Sequence, residues 1–309
     1  PKSVISFLTQ KSSQELISSV KGINNLFFIE SFDTLSLEGQ LFDLIINLDD
    51  DELASKISNK LNSKKLIGSY FDNGIKYTVE SSDWFDMGLA SRFGKQKADE
   101  LKILNQRTYQ EIIFSFLELG DHKQFPPKLY LQDENISFSN DFFLKHKISS
   151  SDTVIGINTG SGGRWKDKKL PIEDTIDLIN LLVNETKSKI LLFGGPEEVE
   201  RNKEILQGVS DEVIDAGCNN SLSNFASLIN ICDILVTSDS LALHVGVGLG
   251  KEVLAFFYPT SSSEIELYGK GIKIIAEGKS YCSYQEKCEY PPNWDLSVFI
   301  KHIQAMIKK

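Results

Sequence analysis

The chain has 309 residues, 41% of them apolar and 25% charged, a profile that fits a soluble globular protein of two ordinary domains. Its formal net charge of −10 repels polyanions, and no basic patch offsets that charge, so nucleic acid is not an expected partner. No apolar run approaches the roughly 20 residues needed to cross a bilayer, and four cysteines are too few for a disulfide scaffold and fit a reducing cytoplasm.

In the first half, short apolar runs at residues 4–8, 26–29, 44–48 and 66–70 read as strands, with helical periodicity at 13–20 and 52–61. The first run starts without a leader pattern. It leads into Thr9-Gln10-Lys11-Ser12-Ser13, with no glycine before Gly22. Nucleotide-type α/β domains usually open with a strand and a glycine turn. That turn was either never present or preceded Pro1. Residues 71–105 show no clear period, 108–119 return to helical spacing, and Pro126-Pro127 resists regular structure. The domain boundary is expected near 147–151, giving domains 1–148 and 149–309. In the second half, runs at 154–158, 190–193, 234–237, 253–257 and 272–275 alternate with helical stretches at 172–186, 196–206, 221–231 and 241–248. This alternation predicts βαβ units, parallel sheets and two Rossmann-like domains.

Four strand-end clusters could carry chemistry. The stretch 158–171 combines Gly160, Gly162 and Gly163 with the hydroxyls of Thr159 and Ser161 and the charges of Arg164, Lys166, Lys168 and Lys169. Glycines let backbone N–H groups approach an anion closely, so a phosphate is the natural ligand. After 234–237, any of Ser238, Asp239 and Ser240 can cap the next helix, whose N-terminus favours an anion, and His244 lies about one turn in. After 190–193, Gly194-Gly195-Pro196 suits a helix start, and Glu197 or Glu198 could accept bonds from a ribose diol. After 44–48, Asp49-Asp50-Asp51-Glu52 reads first as an acidic helix start, with a catalytic carboxylate as the sharper alternative and no metal expected. Cys282 and Cys288 match no zinc or redox spacing. His122, His146 and His302 are isolated and carry no assignment.

Three of these blocks in order, 157–171, 191–198 and 237–260, resemble glycosyltransferase family 9, the ADP-heptose:lipopolysaccharide heptosyltransferase family. The most specific is Ser238-Asp239-Ser240 with His244, followed by the 250–260 stretch ending in Pro259-Thr260. The cysteine-containing loop near Cys282 and the segment 295–307 are also similar, and 42–48 and 65–70 resemble two front-domain strands. The resemblance implies a glycosyltransferase B architecture. The acceptor would sit on the front domain, a nucleotide-sugar donor such as an ADP-sugar on the back domain, and the reaction in the cleft. The last helix, 295–308, would pack back on the first domain. The expected activity is an inverting, metal-independent transfer to a lipopolysaccharide-core or other glycan or glycolipid acceptor. It would take place in the cytoplasm, at the inner membrane face if there is peripheral contact, and no separate cofactor is expected. The oligomeric state is not legible.

By the same resemblance, Thr159, Ser161 and Gly162 would face the diphosphate and Lys168 would neutralise it. Glu198, or Glu197, would meet the ribose, and Ser238, Asp239, Ser240 and His244 would serve the phosphates and sugar. Two departures stand out. Leu241 occupies a position where the family has glycine, which narrows the sugar pocket. The family's catalytic aspartate falls in the missing first turn, leaving Asp49 and Asp51 as the candidates for the base. The rival readings are a non-catalytic nucleotide-sugar-binding protein and a nucleotide-sugar epimerase.

Overall fold

A computed structural model describes residues 3–33, 37, 39–163 and 165–308. The chain divides into two compact units. The first comprises Pro1–Gln14, Lys21–Phe125 and Ser263–Glu266; the second comprises Glu15–Val20, Pro126–Ser262 and Leu267–Lys309.

The first unit contains β1 (Ser6–Thr9), β2 (Asn25–Phe28), β3 (Leu41–Phe42), β4 (Ile45–Asn47), β5 (Asn62–Ser63), β6 (Leu66–Phe71) and β7 (Ile75–Tyr77). A short α1 (Gln14–Ile17) follows β1 in the chain, but all of it except Gln14 belongs to the second unit; the helices of the first unit are α2 (Glu52–Lys60), α3 (Ser82–Phe85), α4 (Lys95–Leu104) and α5 (Tyr109–Phe116). Strands β1–β2, β3–β5 and β4–β6 pair in parallel. Among the described residues these strands form three small sheets, and β7 joins β6 antiparallel. That hairpin departs from the all-parallel expectation. Strand β6 runs so close to β4 that a Cβ on Gly68 would lie 1.8 Å from the Asn47 carbonyl oxygen, so only glycine fits.

The second unit holds one six-stranded parallel sheet. Its strands are β8 (Val154–Asn158), β9 (Lys189–Phe193), β10 (Ile214–Asp215), β11 (Ile234–Ser238), β12 (Glu252–Phe257) and β13 (Gly271–Ile275), in the order β10-β9-β8-β11-β12-β13. Successive strand residues alternate between two cores. Ile155, Ile157, Ile190, Leu192, Ile234 and Val236 face one, and Val154, Leu191, Phe193 and Leu235 face the other. This alternation is why the strands read as continuously apolar. The helices of this unit are α6 (Asp133–Lys145), α7 (Ile172–Thr186), α8 (Val199–Gly208), α9 (Leu222–Ile231), α10 (Leu241–Gly248) and α11 (Leu296–Ile307).

Two features depart from the sequence expectations, the domain boundary and helix α4. The division falls at Phe125–Pro126 rather than at 148, because α6 sets Phe138, Phe142 and Phe143 against the core under β8, β9 and β11. Helix α11 belongs to the second unit, within the 149–309 bounds expected for it, and its Phe299, Ile300, Ile303 and Met306 complete the other core. Helix α4 lies in the stretch without a visible period. It buries only Ala98 and carries the pairs Lys95–Asp99 and Lys97–Glu100, so it has no apolar stripe to read.

Candidate active site

In the second unit the chain leaves β8 toward β9 and β10 on one side, then returns to β11 on the other side of β8. Open α/β sheets bind ligands at such a reversal, beyond the carboxyl ends of the strands. Asn158, buried at the end of β8, ties the two sides together. Its amide donates to the Gly160 carbonyl at 2.7 Å, to Thr237 Oγ1 at 3.0 Å and to Ser240 Oγ at 3.3 Å. The loops after β8 and β11 are thus fixed to each other by one side chain.

Two lysines of the first loop are held by carboxylates of the other loops. Lys168 Nζ lies 2.9 Å from Asp239 Oδ2 and 5.1 Å from the centre of the Trp165 ring. Lys169 pairs with Glu198. Glu198 is 3% exposed, and its second oxygen accepts the Gly195 N–H at 2.9 Å, closing the turn after β9. A Cβ on Gly160 would come within 2.7 Å of that carboxylate, so this glycine is there for close approach. Gly162 takes φ +71° in the same loop. The loop's far end is anchored from another side. Trp165 Nε1 donates to the Tyr284 carbonyl at 3.3 Å, and the Cys288 N–H donates to Asp167 Oδ2 at 2.7 Å.

The side chains foreseen as ligand contacts divide into free and engaged groups. Among the described residues Ser161 Oγ, a buried atom, has no hydrogen-bond partner, so its hydroxyl keeps its bonding capacity. Thr159 does not face outward as expected: its hydroxyl donates to the Phe193 carbonyl at 3.0 Å and contacts Asn202 Oδ1 at 2.5 Å, bracing the loop from inside. Glu198 is likewise consumed by Lys169 and Gly195, whereas Glu197 is exposed beside Gly163 and is the better placed of the two for a diol. Ser238 is buried at the end of β11. Ser240 is the N-cap residue of α10 but makes no side-chain cap bond; its hydroxyl goes to Thr237 at 2.9 Å. The start of α10 is therefore not capped by Ser238, Asp239 or Ser240, contrary to the capping expectation, and its first N–H groups keep their capacity for an anion. Leu241, half exposed, stands at that start. His244 is solvent-accessible, but the protein packed around its ring lowers its pKa below the usual imidazole value; Asp239 opposes this shift and Lys168 adds to it. Arg164 lies outside the described residues.

The first unit holds the other candidate groups. The Asp51 carboxylate accepts the N–H groups of Leu53 and Ala54 at 2.9 and 3.0 Å. It is the N-cap of α2 through Oδ1, so the start of the helix engages this side chain, as the acidic-helix-start reading expected. Asp49 is different. Its backbone is held by Asn47 Oδ1, which accepts its N–H at 3.2 Å, and by Ser69 Oγ, which donates to its carbonyl at 2.6 Å. Its carboxylate lines a cavity of about 270 Å³ in this unit. The surrounding protein raises the Asp49 pKa by limiting hydration, and the charges of Asp50 and Asp51 raise it further. Among the described residues no group of three His, Cys, Asp or Glu side chains gathers as a metal site would, and no disulfide joins Cys218, Cys232, Cys282 or Cys288.

Asn202, Lys169 and the Asn158 bridge were not foreseen as site residues. Lys169 was visible only as one charge of a basic loop. Nothing in the sequence around Asn202 reveals that it meets a hydroxyl 43 positions earlier.

Two Rossmann-like units, one with a parallel sheet whose strand ends gather glycine turns, lysines and an open helix start, define the glycosyltransferase B architecture. The chain belongs to glycosyltransferase family 9 (heptosyltransferase), whose family model matches residues 36–292. Lipopolysaccharide heptosyltransferase 2 of Salmonella typhimurium is 28% identical over 141 residues, 44% of this chain; the match spans 38% of that relative's length. The fold is similar to the glycosyl transferase family 9 structure from Veillonella parvula, with a TM-score of 0.74 at 18% identity over 99% of this chain and 88% of that one. It is also similar to the Escherichia coli ADP-heptose lps heptosyltransferase II structure, with a TM-score of 0.66 at 16% identity over 100% of this chain and 90% of that one. Among the described residues no helix is long and apolar enough to cross a membrane.

Proposed function

We propose that the protein is an inverting glycosyltransferase that moves heptose or a related sugar from a nucleotide-sugar donor, ADP-linked by preference, to a lipopolysaccharide-core or other surface-glycan acceptor. The observation that carries this reading is the convergence of three strand-end loops of the second unit on two lysines, one unpartnered hydroxyl and one helix start without a side-chain cap. The donor's diphosphate would accept bonds from the first N–H groups of α10, from Ser161 and from Lys168, with Glu197 at the ribose. A cleft of about 520 Å³ beside Asn202 has room for a nucleoside.

In the reaction, an acceptor hydroxyl oxygen attacks the anomeric carbon opposite the diphosphate. The bond from that carbon to the phosphate oxygen breaks, and its electron pair leaves with the nucleoside diphosphate. The hydroxyl proton passes to the Asp49 carboxylate, whose raised pKa makes it a better base than an ordinary aspartate. Charge on the leaving phosphate grows where the α10 N–H groups and Lys168 can stabilise it. The name of the Escherichia coli structure supports an ADP-linked donor; Leu241, half exposed at the start of α10, would narrow the sugar pocket, which is why the reading includes a related sugar beside heptose.

Calorimetry of the intact chain with ADP-, UDP- and GDP-sugars tests the reading. Binding of the ADP-sugar with an affinity at least ten-fold above the others is expected. No binding of any nucleoside diphosphate or its sugar would sink it.

A further inference from the structure

Residues 277–293 form a loop closed at its neck. The Glu277 N–H donates to the Asn293 carbonyl at 3.2 Å, and the Asn293 N–H donates to the Glu277 carbonyl at 3.0 Å. Just inside the neck, the Tyr258 hydroxyl accepts the Ser280 N–H at 3.1 Å and donates to the Tyr290 carbonyl. Tyr258 directly follows β12 and is fully buried, so the base of the loop is fixed to the end of the sheet. From there the loop reaches two other loops at once. Toward the loop after β12, the Tyr284 N–H donates to the Pro259 carbonyl at 3.2 Å, and the hydroxyls of Tyr284 and Tyr281 accept the N–H groups of Ser261 and Ser262 at 3.1 and 3.0 Å. Toward the lysine loop, it engages each of the three residues before Lys168. Trp165 Nε1 donates to the Tyr284 carbonyl at 3.3 Å, the Lys166 N–H donates to the Glu286 carbonyl at 3.3 Å, and Asp167 Oδ2 accepts the Cys288 N–H at 2.7 Å. The Lys168 N–H then closes a turn onto the Trp165 carbonyl at 3.3 Å. Cys282 and Tyr284 take φ +58° and +50°, a left-handed backbone that costs free energy in residues with a side chain and persists where surrounding bonds impose it.

We propose that this loop is a clip that holds the Lys168 turn in register for an anionic ligand, and that Asp167 is the positioning residue through which it acts. The inference rests on the transferase reading above, in which Lys168 meets the donor's diphosphate, and adds a residue that acts through that lysine. Compact loops with joined ends are frequently functional. A binding group has to be held within about 0.5 Å of its productive position. The bond to Asp167 is the shortest of the three that reach the turn, and its acceptor is charged. The sign of the effect separates positioning from simple electrostatics. Asp167 carries a negative charge one residue from the lysine that would meet a diphosphate. Coulomb's law alone has that charge repel the ligand, so its removal would tighten binding. Positioning has the opposite sign: losing the acceptor loosens the turn and weakens binding, and an amide oxygen in the same place restores it.

Calorimetric titration of ADP into the intact chain, Asp167→Ala and Asp167→Asn tests this. The nitrogen–proton NMR signal of the Trp165 indole is the second readout, identified among the three tryptophans by Trp165→Phe. Asp167→Ala is expected to bind ADP about ten-fold more weakly, the upper range for one net hydrogen bond. It should also shift the Trp165 signal while those of Trp84 and Trp294 stay in place. Asp167→Asn should return the affinity to within about two-fold of the wild type and restore the signal. Unchanged or tighter ADP binding by Asp167→Ala overturns the proposal, as does equal weakening in both variants. A shift of all three indole signals reports general loosening and overturns it as well. If Asp167→Ala fails to fold, Tyr284→Phe decides: it removes the hydroxyl that accepts the Ser261 N–H without a change of charge, and unchanged ADP affinity then overturns the proposal. If the wild type binds no ADP, the transferase reading falls, and the Trp165 signal alone decides whether Asp167 holds the lysine turn.

Discussion

Replacing Lys168 by Ala removes a buried ammonium whose carboxylate partner, Asp239 Oδ2, is 2.9 Å away. If a diphosphate takes up that ammonium, the variant loses a charge-assisted bond, about 1.5–3 kcal/mol. Asp239 keeps 21% of its side-chain surface exposed, so water screens the site in part, which places the loss near the lower end, about 2 kcal/mol. At 1.4 kcal/mol per decade that is roughly a 30-fold weaker Kd for ADP. Asp239→Ala should weaken ADP binding by about 1–3 kcal/mol, because the freed lysine is no longer aimed across the switch point. The two residues touch, so the double variant should lose less than the sum of the singles, with a coupling on the order of 0.5–3 kcal/mol. Calorimetric titration of ADP into the wild type, both single variants and the double variant reads the whole cycle. Unchanged affinity in both single variants would refute the assignment of the site. Strict additivity would refute the claim that the pair acts as a unit.

Asp51→Ala should cost about 1 kcal/mol of stability, within the usual ~0.5–2 for a lost N-cap, and leave ADP affinity alone; a denaturant midpoint unmoved by the substitution contradicts the cap assignment. Asp49→Asn should act oppositely on stability. The Asp49 pKa is raised, so the folded state holds that proton more tightly than the unfolded state. Ionisation then carries a cost that is absent below the ordinary aspartate range and complete once pH exceeds the folded pKa. The substitution should therefore stabilise near neutral pH and not in acid, and thermal unfolding at pH 3 and pH 7.5 tests the sign. His244, its pKa lowered, should be neutral at pH 7 and add a favourable charge for a diphosphate only as pH falls, so ADP affinity should rise in acid more steeply than in His244→Ala, which carries only the ligand's own titration. Gly160→Ala would drive a Cβ to 2.7 Å from Glu198 Oε2, so the Lys169–Glu198 pair must shift; a loss on the order of 1–3 kcal/mol in the unfolding free energy is expected, and an unchanged value refutes the tight approach.

The second unit was legible because its physics is local. Strands buried on both faces must be apolar at every position, and β8 is bounded in the structure as its apolar run suggested, at Val154–Asn158. Helix α7, at Ile172–Thr186, and α10, at Leu241–Gly248, also match their periodic stretches end to end. The first unit was less legible for an equally physical reason. Its strands are short and often half exposed, as in β4, where Ile46 is 46% exposed. Helix α4 is held by surface charge pairs rather than an apolar face. The boundary was misplaced because α6 docks through aromatic side chains at 138, 142 and 143, a contact decided by the second unit's core rather than by any linker composition.

For the site, the sequence pointed to the right loops and only partly to the right atoms. Glycines, lysines and hydroxyls at strand ends announce an anion site by composition, but which hydroxyl is free depends on partners far away in the chain. Thr159 and Ser161 look equivalent in the sequence, yet the Thr159 hydroxyl is occupied by Phe193 and Asn202 while Ser161 Oγ has no partner among the described residues. Glu197 and Glu198 are adjacent in the same acidic turn, yet Lys169 and Gly195 take Glu198 out of contention. Asp49 and Asp51 are two residues apart, yet the start of α2 uses the carboxylate of Asp51, while Asp49 faces a cavity. In each pair the discriminating fact is whether the fold already satisfies the polar group. Ser161 Oγ is a buried atom, whose lack of a partner among the described residues costs stability until a ligand meets it, while Glu197 and Asp49 are exposed and stay available to one, so the unengaged member of each pair is the one to test for function.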